Sequence, residues 1–184
     1  AILENRLEFT DKLLDVVYDC MTCGGCDISC KYAMDMEVLK PILETRITCV
    51  ENGYTLPALD RLVSSLRTKG HMMPGVKIKR GDWLEGIEVK DYTSEQCDVI
   101  FHAGCRTCYN RDMWKVAQNT VDLLQKAGVD IDIAGDNESC CGGRAYQMGY
   151  KEDAVRQAEK NMAANKKAGV KTLVTGCADC YHAF

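Results

Sequence analysis

Twelve of the 184 residues are cysteine, and they are spaced in groups: 20, 23, 26, 30 and 49, then 97, 105, 108, 140, 141, 177 and 180. Ordinary soluble domains do not carry that much sulfur, so the fold has to give it a chemical use. Disulfide bonding in an oxidising compartment and thiolate ligation in a reducing one are the two outlets. Disulfide scaffolds are short and loop-rich, whereas long stretches here have helical period. The opening Ala-Ile-Leu-Glu-Asn-Arg is not a signal-peptide pattern, and no run of about eighteen apolar residues occurs. The expectation is a reducing, cytoplasmic setting, with any membrane attachment made through a partner. Twenty-seven acidic and 23 basic residues give a net charge of −4. The basic residues are scattered, which argues against nucleic acid as a partner.

The cysteine-free stretch 50–96 divides the chain into a helical module, 1–70, and an alternating module, 97–184. In the first, Leu7, Leu13, Leu14, Val17 and Cys20 mark a helix entering the first cysteine group. Glu37 to Val50 reads as another, with Pro41 in its first turn and Gly53 beyond its end. Leu59, Leu62, Val63 and Leu66 repeat at helical spacing between Pro57, a suitable first helical residue, and Gly70, a suitable stop. Residues 71–96 carry Pro74, Gly75, Gly81 and Gly86 without sustained period and read as a linker over the surface.

The second module alternates. Asp98–Ala103, Val129–Ala134 and Lys171–Thr175 are strand-like. Met113–Ala127 is a helix with Trp114, Ala117, Val121 and Leu124 on one face and Gly128 after it. Glu152–Ala168 is a helix with Val155, Ala158 and Met162 expected inward and Gly169 at its end. Right-handed crossovers make this a parallel β-α-β-α-β sheet in a three-layer arrangement. The fold class is therefore α + α/β, a small helical cluster domain followed by a parallel-sheet domain. On that reading Cys105 and Cys108 follow the first strand, Cys140 and Cys141 the second, and Cys177 and Cys180 the third. The carboxyl ends of parallel strands share one edge, where ligands bind, so six thiols converge there as a metal or cluster site.

The run Cys20-Met-Thr-Cys23-Gly-Gly-Cys26-Asp-Ile-Ser-Cys30 has C-x2-C-x2-C-x3-C spacing, that of bacterial ferredoxins. Zinc sites use separated C-x2-C knuckles instead. Lys31 stands where such runs usually have proline, and only one run is present. Three arrangements stay open: Cys30 serves a different cluster, with Cys49 able to contribute a thiolate from what reads as a helix; all four cysteines hold one 4Fe-4S cluster; or the chain is part of a longer one. Cys49 is more simply a packed thiol, and Cys108 is an extra ligand, a redox partner or a small turn residue. His102 and His182 flank the second group. Arg106 and Arg144 are placed to offset thiolate charge.

Cys105, Cys140-Cys141-Gly142 and Cys177-Ala-Asp-Cys180, with gaps of 34 and 35 residues, resemble the cysteine-rich CCG signature. With the upstream ferredoxin run, and the stretches Leu59–Gly70 and Gly81-Asp82-Trp83, the chain is similar to iron–sulfur subunits of heterodisulfide reductases and of glycolate, lactate and glycerol-phosphate oxidation. That resemblance implies a second 4Fe-4S cluster, noncubane in the best-understood members, held by Cys105, Cys140, Cys141, Cys177 and Cys180. It implies an oxidoreductase subunit that passes electrons between a flavoprotein or membrane quinone-reactive partner and this cluster. The alternatives are a chain that cleaves a disulfide at it and a structural zinc module. One signature where disulfide-cleaving relatives have two, and one ferredoxin run, lead to the expectation that the natural chain extends further. No Gly-x-Gly-x-x-Gly follows a strand, so a flavin or nicotinamide is assigned to the partner.

Overall fold

The computed structural model describes residue 4, residues 8–91 and residues 96–184. Helix α1 is Asp11–Asp19, and the Thr10 side chain caps it by accepting the Leu13 amide at 3.2 Å. Leu14 is its buried residue, while the expected contribution of Leu7 falls outside the described residues. Helix α2, Gly25–Met34, carries Cys26 and Cys30. Helix α3 is Leu39–Glu51, with Pro41 in its first turn as expected. Asp27 caps it from within the ferredoxin run, taking the Val38 and Leu39 amides on Oδ1 at 2.5 and 2.8 Å. Helix α4, Pro57–Lys69, has proline at its start and left-handed Gly70 at its end, as the sequence implies.

The second module is built on a parallel sheet of β1 (Lys90–Asp91), β2 (Val99–His102), β3 (Asp132–Ile133) and β4 (Thr172–Thr175), in the order β1-β3-β2-β4. Val99 lies opposite Thr172 and His102 opposite Thr175. Short helices α5 (Gly104–Cys108), α7 (Gly143–Gln147) and α9 (Ala178–Ala183) follow the strand ends, and α6 (Arg111–Lys126) and α8 (Lys151–Ala168) make the long crossovers. Strand β3 is shorter than expected because the Val129 amide closes the end of α6 on the Leu124 carbonyl at 3.0 Å, which takes it out of the ladder.

Two expectations are corrected. The stretch read as a surface linker is packed inward from His71 and Met72 through Arg80 to Trp83, which is 1% exposed. Met73, Val76, Ile78, Leu84, Ile87 and Val89 join it against α6 and the sheet, and Lys90–Asp91 adds an edge strand. Irregular backbone buries residues without a fixed period, so no periodicity marks it. On α8, Val155 and Met162 are exposed, and the buried face is instead Asp153, Ala154, Gln157, Asn161 and Ala168. Polar groups win that face because each has a partner. Gln157 donates to Ser139 Oγ at 2.6 Å, Asn161 to the Cys140 carbonyl at 2.8 Å, and Asp153 takes a two-point contact from Arg67 at 2.8 and 2.7 Å.

The modules are joined through Arg46 on α3, 5% exposed. Its guanidinium donates to the Val17 and Cys20 carbonyls at the end of α1 and to the Gln147 carbonyl at the end of α7. Tyr18 adds a bond to the Met148 carbonyl at 2.9 Å. Gly149 follows with φ of +91°, and a Cβ there would run into the Arg46 carbonyl. Gly149→Ala is therefore expected to cost at least about 2 kcal/mol, through overlap with backbone and an unfavourable φ. Gly86→Ala, with φ of +80° but open space around it, should cost only about 1 kcal/mol. Urea midpoints of the two variants measure the difference.

Candidate metal centre

Parallel pairing places the loops after β2, β3 and β4 at one edge, as the sequence implies. Cys105 sits in α5, Cys140 and Cys141 precede α7, and Cys177 and Cys180 open and occupy α9. The five thiols are coupled in series, Cys105 with Cys140, Cys140 with Cys141, Cys141 with Cys180 and Cys180 with Cys177, each changing its neighbour's hold on a proton. All five are free thiols; Cys140, Cys141 and Cys180 are buried and the other two half-buried. Backbone amides also aim at the sulfurs, Gly142 at Cys140 from 3.5 Å, Gly143 at Cys141 and Met72 at Cys105. Among the described residues, no group of three or more His, Cys, Asp or Glu side chains is arranged to hold a single metal ion. The five sulfurs form a chain.

The ferredoxin run is less enclosed. Cys20 ends α1 with its carbonyl on Arg46, Cys23 is exposed in the loop, and Cys26 and Cys30 are one turn apart on α2. Thr22 between the first two holds a φ of +52°, a strained conformation for a β-branched residue. Cys20, Met21 and Thr22 face the five-thiol edge across a cavity of about 730 Å³, which the five signature cysteines also line.

A family model described as a cysteine-rich domain, CCG, matches residues 99–184. Residues 99–184 are similar to that domain. Over 176 residues the chain is 28% identical to the D-type chain of a dihydromethanophenazine:CoB–CoM heterodisulfide reductase from Methanosarcina mazei, covering 94% of this chain and 42% of that protein. It is 24% identical over 176 residues to an EtfAB:quinone oxidoreductase of Syntrophomonas wolfei, covering 92% and 24%. An uncharacterized iron-sulfur protein of Methanocaldococcus jannaschii is 26% identical over 171 residues, covering 89% and 32%. The chain thus spans less than half the length of these relatives. No solved structure matches it.

The matched region is completed by a residue outside it. Arg80, from the stretch read as linker, is 4% exposed and Glu138 is 5% exposed, with 2.6 Å between Nη1 and Oε1. Arg80 Nη2 donates to Cys105 Sγ at 3.1 Å. Glu138 also takes the Ala103 amide at 2.8 Å and the Gly104 amide at 3.0 Å, and the Cys108 thiol lies 3.8 Å from it. Burial opposes the charge of Arg80, and Cys105 and Glu138 outweigh it. Arg106 and Arg144, expected to offset thiolate charge, are exposed, and Arg144 pairs with Asp179 at 2.8 Å. A charged residue in an aperiodic stretch gives no sequence signal of this role.

His102 is buried against Phe184, with ring centroids 4.9 Å apart. Its Nδ1 lies 3.8 Å from Glu138, and its Nε2 has no partner. His182 is exposed. Cys108 is fully buried in the apolar cluster around Trp83 and Phe101, and desolvation with Glu138 pushes its thiol pKa well up. Cys49 is likewise fully buried and shifted up by burial, which fits a packed thiol. Among the described residues no helix is long and apolar enough to cross a membrane.

Hydrogen bonding from Cys140, with Arg80 next, outweighs burial and holds the Cys105 pKa to about 6. In reduced, metal-free protein at pH 7, Cys105 is therefore mostly thiolate. Brief iodoacetamide treatment followed by peptide mass mapping should label Cys105 and leave Cys108 unmodified. The Cys105 rate should fall as pH drops through about 6.

Proposed function

We propose that this chain is an iron–sulfur electron-transfer subunit of an oxidoreductase complex. In this reading Cys105, Cys140, Cys141, Cys177 and Cys180 hold one 4Fe-4S cluster, noncubane in type, and Cys20, Cys23, Cys26 and Cys30 hold another. The observation that carries it is the chain of five thiols at one sheet edge, across a shared cavity from the start of the ferredoxin run.

The residues suit such a group on three counts. The donors are all thiols, which iron–sulfur clusters use. Gly104 has no Cβ where one would lie 3.1 Å from Cys180 Sγ. The buried His102 Nε2 beside these sulfurs lacks a partner within the protein, and a group held here would supply an acceptor. Bound at these cysteines, an iron–sulfur cluster supplies one-electron redox chemistry.

The protein's own contribution is electrostatic and steric. The Gly142, Gly143 and Met72 amides and the Arg80 guanidinium direct positive charge at sulfur that must be deprotonated to ligate. Leu59, Leu62, Met72 and Met148 give the cavity apolar walls that limit water. The partner that delivers or takes electrons is proposed to be a flavoprotein or a membrane quinone-reactive protein. The relative named EtfAB:quinone oxidoreductase supports that class.

A second reading, reductive cleavage of a disulfide, is favoured by the cavity of about 730 Å³ beside the five thiols, large enough for a small organic molecule. The relative from a heterodisulfide reductase points the same way. A small disulfide added to the reduced, cluster-loaded protein should shift its spectrum and, with two electrons drawn from the protein, be released as two thiols if this reading holds.

Anaerobically purified protein should be brown and contain iron and acid-labile sulfide with little zinc. Stoichiometric zinc without sulfide would sink both redox readings. Cys141→Ser should abolish one electron paramagnetic resonance signal and leave the other, because the two thiol sets come from different modules. Cys49→Ala should leave iron content within about a tenth of wild type, since a packed thiol needs only its volume.

A further inference from the structure

Among the groups at the sheet edge, Arg80 is the one cation that meets a signature sulfur directly in the described residues, and nothing in the matched region itself supplies it. Its guanidinium makes two different contacts at once, Nη1 to Glu138 at 2.6 Å and Nη2 to Cys105 Sγ at 3.1 Å. A third, longer contact reaches the Gly70 carbonyl at 3.5 Å, and the guanidinium carbon lies 5.3 Å from the centre of the Tyr109 ring. The side chain is thus gripped on every side, and Glu138 is fixed in turn by the Ala103 and Gly104 amides just before Cys105. Such a fork is oriented, where an ammonium would be a point charge.

We propose that Arg80 is a positioning residue that tunes the reduction potential of the site by donating a fixed, charged hydrogen bond to the Cys105 thiolate. The inference rests on the iron–sulfur reading above and deepens it. One-electron reduction adds one negative charge to a thiolate-ligated group. A cation held at 3.1 Å from one ligand sulfur, in surroundings that exclude water, favours the more negative state. Removing it therefore makes reduction harder. Glu138 carries the opposite charge, and its oxygens accept from Arg80, from the two amides and, at 3.8 Å, from the Cys108 thiol, which lies outside the five signature cysteines.

The test is a redox titration of cluster-loaded protein, following the electron paramagnetic resonance signal that Cys141→Ser abolishes. Arg80→Gln should lower the reduction equilibrium constant by about tenfold, a midpoint about 59 mV more negative, with iron and sulfide retained. Arg80→Lys, which keeps the charge and loses the fork, should fall between that value and wild type. Arg156→Gln removes an equal charge from an exposed position and should leave the midpoint unchanged. An unmoved midpoint in a fully loaded Arg80→Gln protein overturns the proposal. If Arg80→Gln loses its iron, Arg80→Lys decides: a midpoint below wild type upholds the proposal, and a wild-type midpoint overturns it. Loss of iron from both variants also overturns it, in favour of a purely structural role. Wild-type protein without iron and sulfide would instead defeat the functional reading on which this inference stands.

Discussion

The parallel pairing of β2 with β3 and β4 is the constraint from which the site follows. Four residues of β2 face four of β4 in parallel register, so each strand hands its chain to the same edge. A four-residue strand is about 13 Å long. An antiparallel β4 would carry Cys177 and Cys180 that far from Cys105, beyond the reach of any thiol chain. The long crossovers α6 and α8 exist to make this pairing possible, since parallel neighbours cannot be joined by a tight turn. The turns and short helices that follow each strand then hold the cysteines at that edge.

Around that edge the protein has to reconcile closely spaced sulfur with burial. Thiolates repel one another in a water-poor setting, and the coupling in series answers this by alternation. Bonding from their neighbours lowers Cys105 and Cys141, while Cys140 and Cys180 are raised. The Arg80–Glu138 pair adds a cation without leaving an uncompensated charge. A buried ion pair gains little over apolar residues of the same size, but losing one partner costs about 3–5 kcal/mol. Here both partners are hydrogen-bonded to the loops that carry the cysteines, so the pair serves geometry as much as charge.

Much of this is legible in the chain itself. Pro57 and Gly70 bracket α4, Gly128 and Gly169 follow α6 and α8, and the spacing of Cys105, Cys140-Cys141 and Cys177-Ala-Asp-Cys180 marks the strand ends. These signals are local: a cap, a period, a spacing. What cannot be read depends on distant partners. The inward face of α8 is polar because Gln157 and Asn161 meet Ser139 and Cys140, about twenty residues earlier, and a hydrophobic period assigns such a face to water. Trp83 and Arg80 sit in backbone without period, where burial leaves no pattern. Helix α2 has no buried residue and so no hydrophobic period to mark it, and Gly24 at +73° is the turn into it.

The contact between Arg46 and the Gln147 carbonyl bridges 101 positions of chain. Contacts this remote in sequence form late, because a long loop must close before they repay its entropy. As the polypeptide leaves the ribosome, Cys20 to Cys30 are together within eleven residues, long before Gly149 exists to seat Arg46. The signature thiols become a set only when Cys180 has emerged. The first group of cysteines is therefore complete in the chain long before the residues that complete its surroundings.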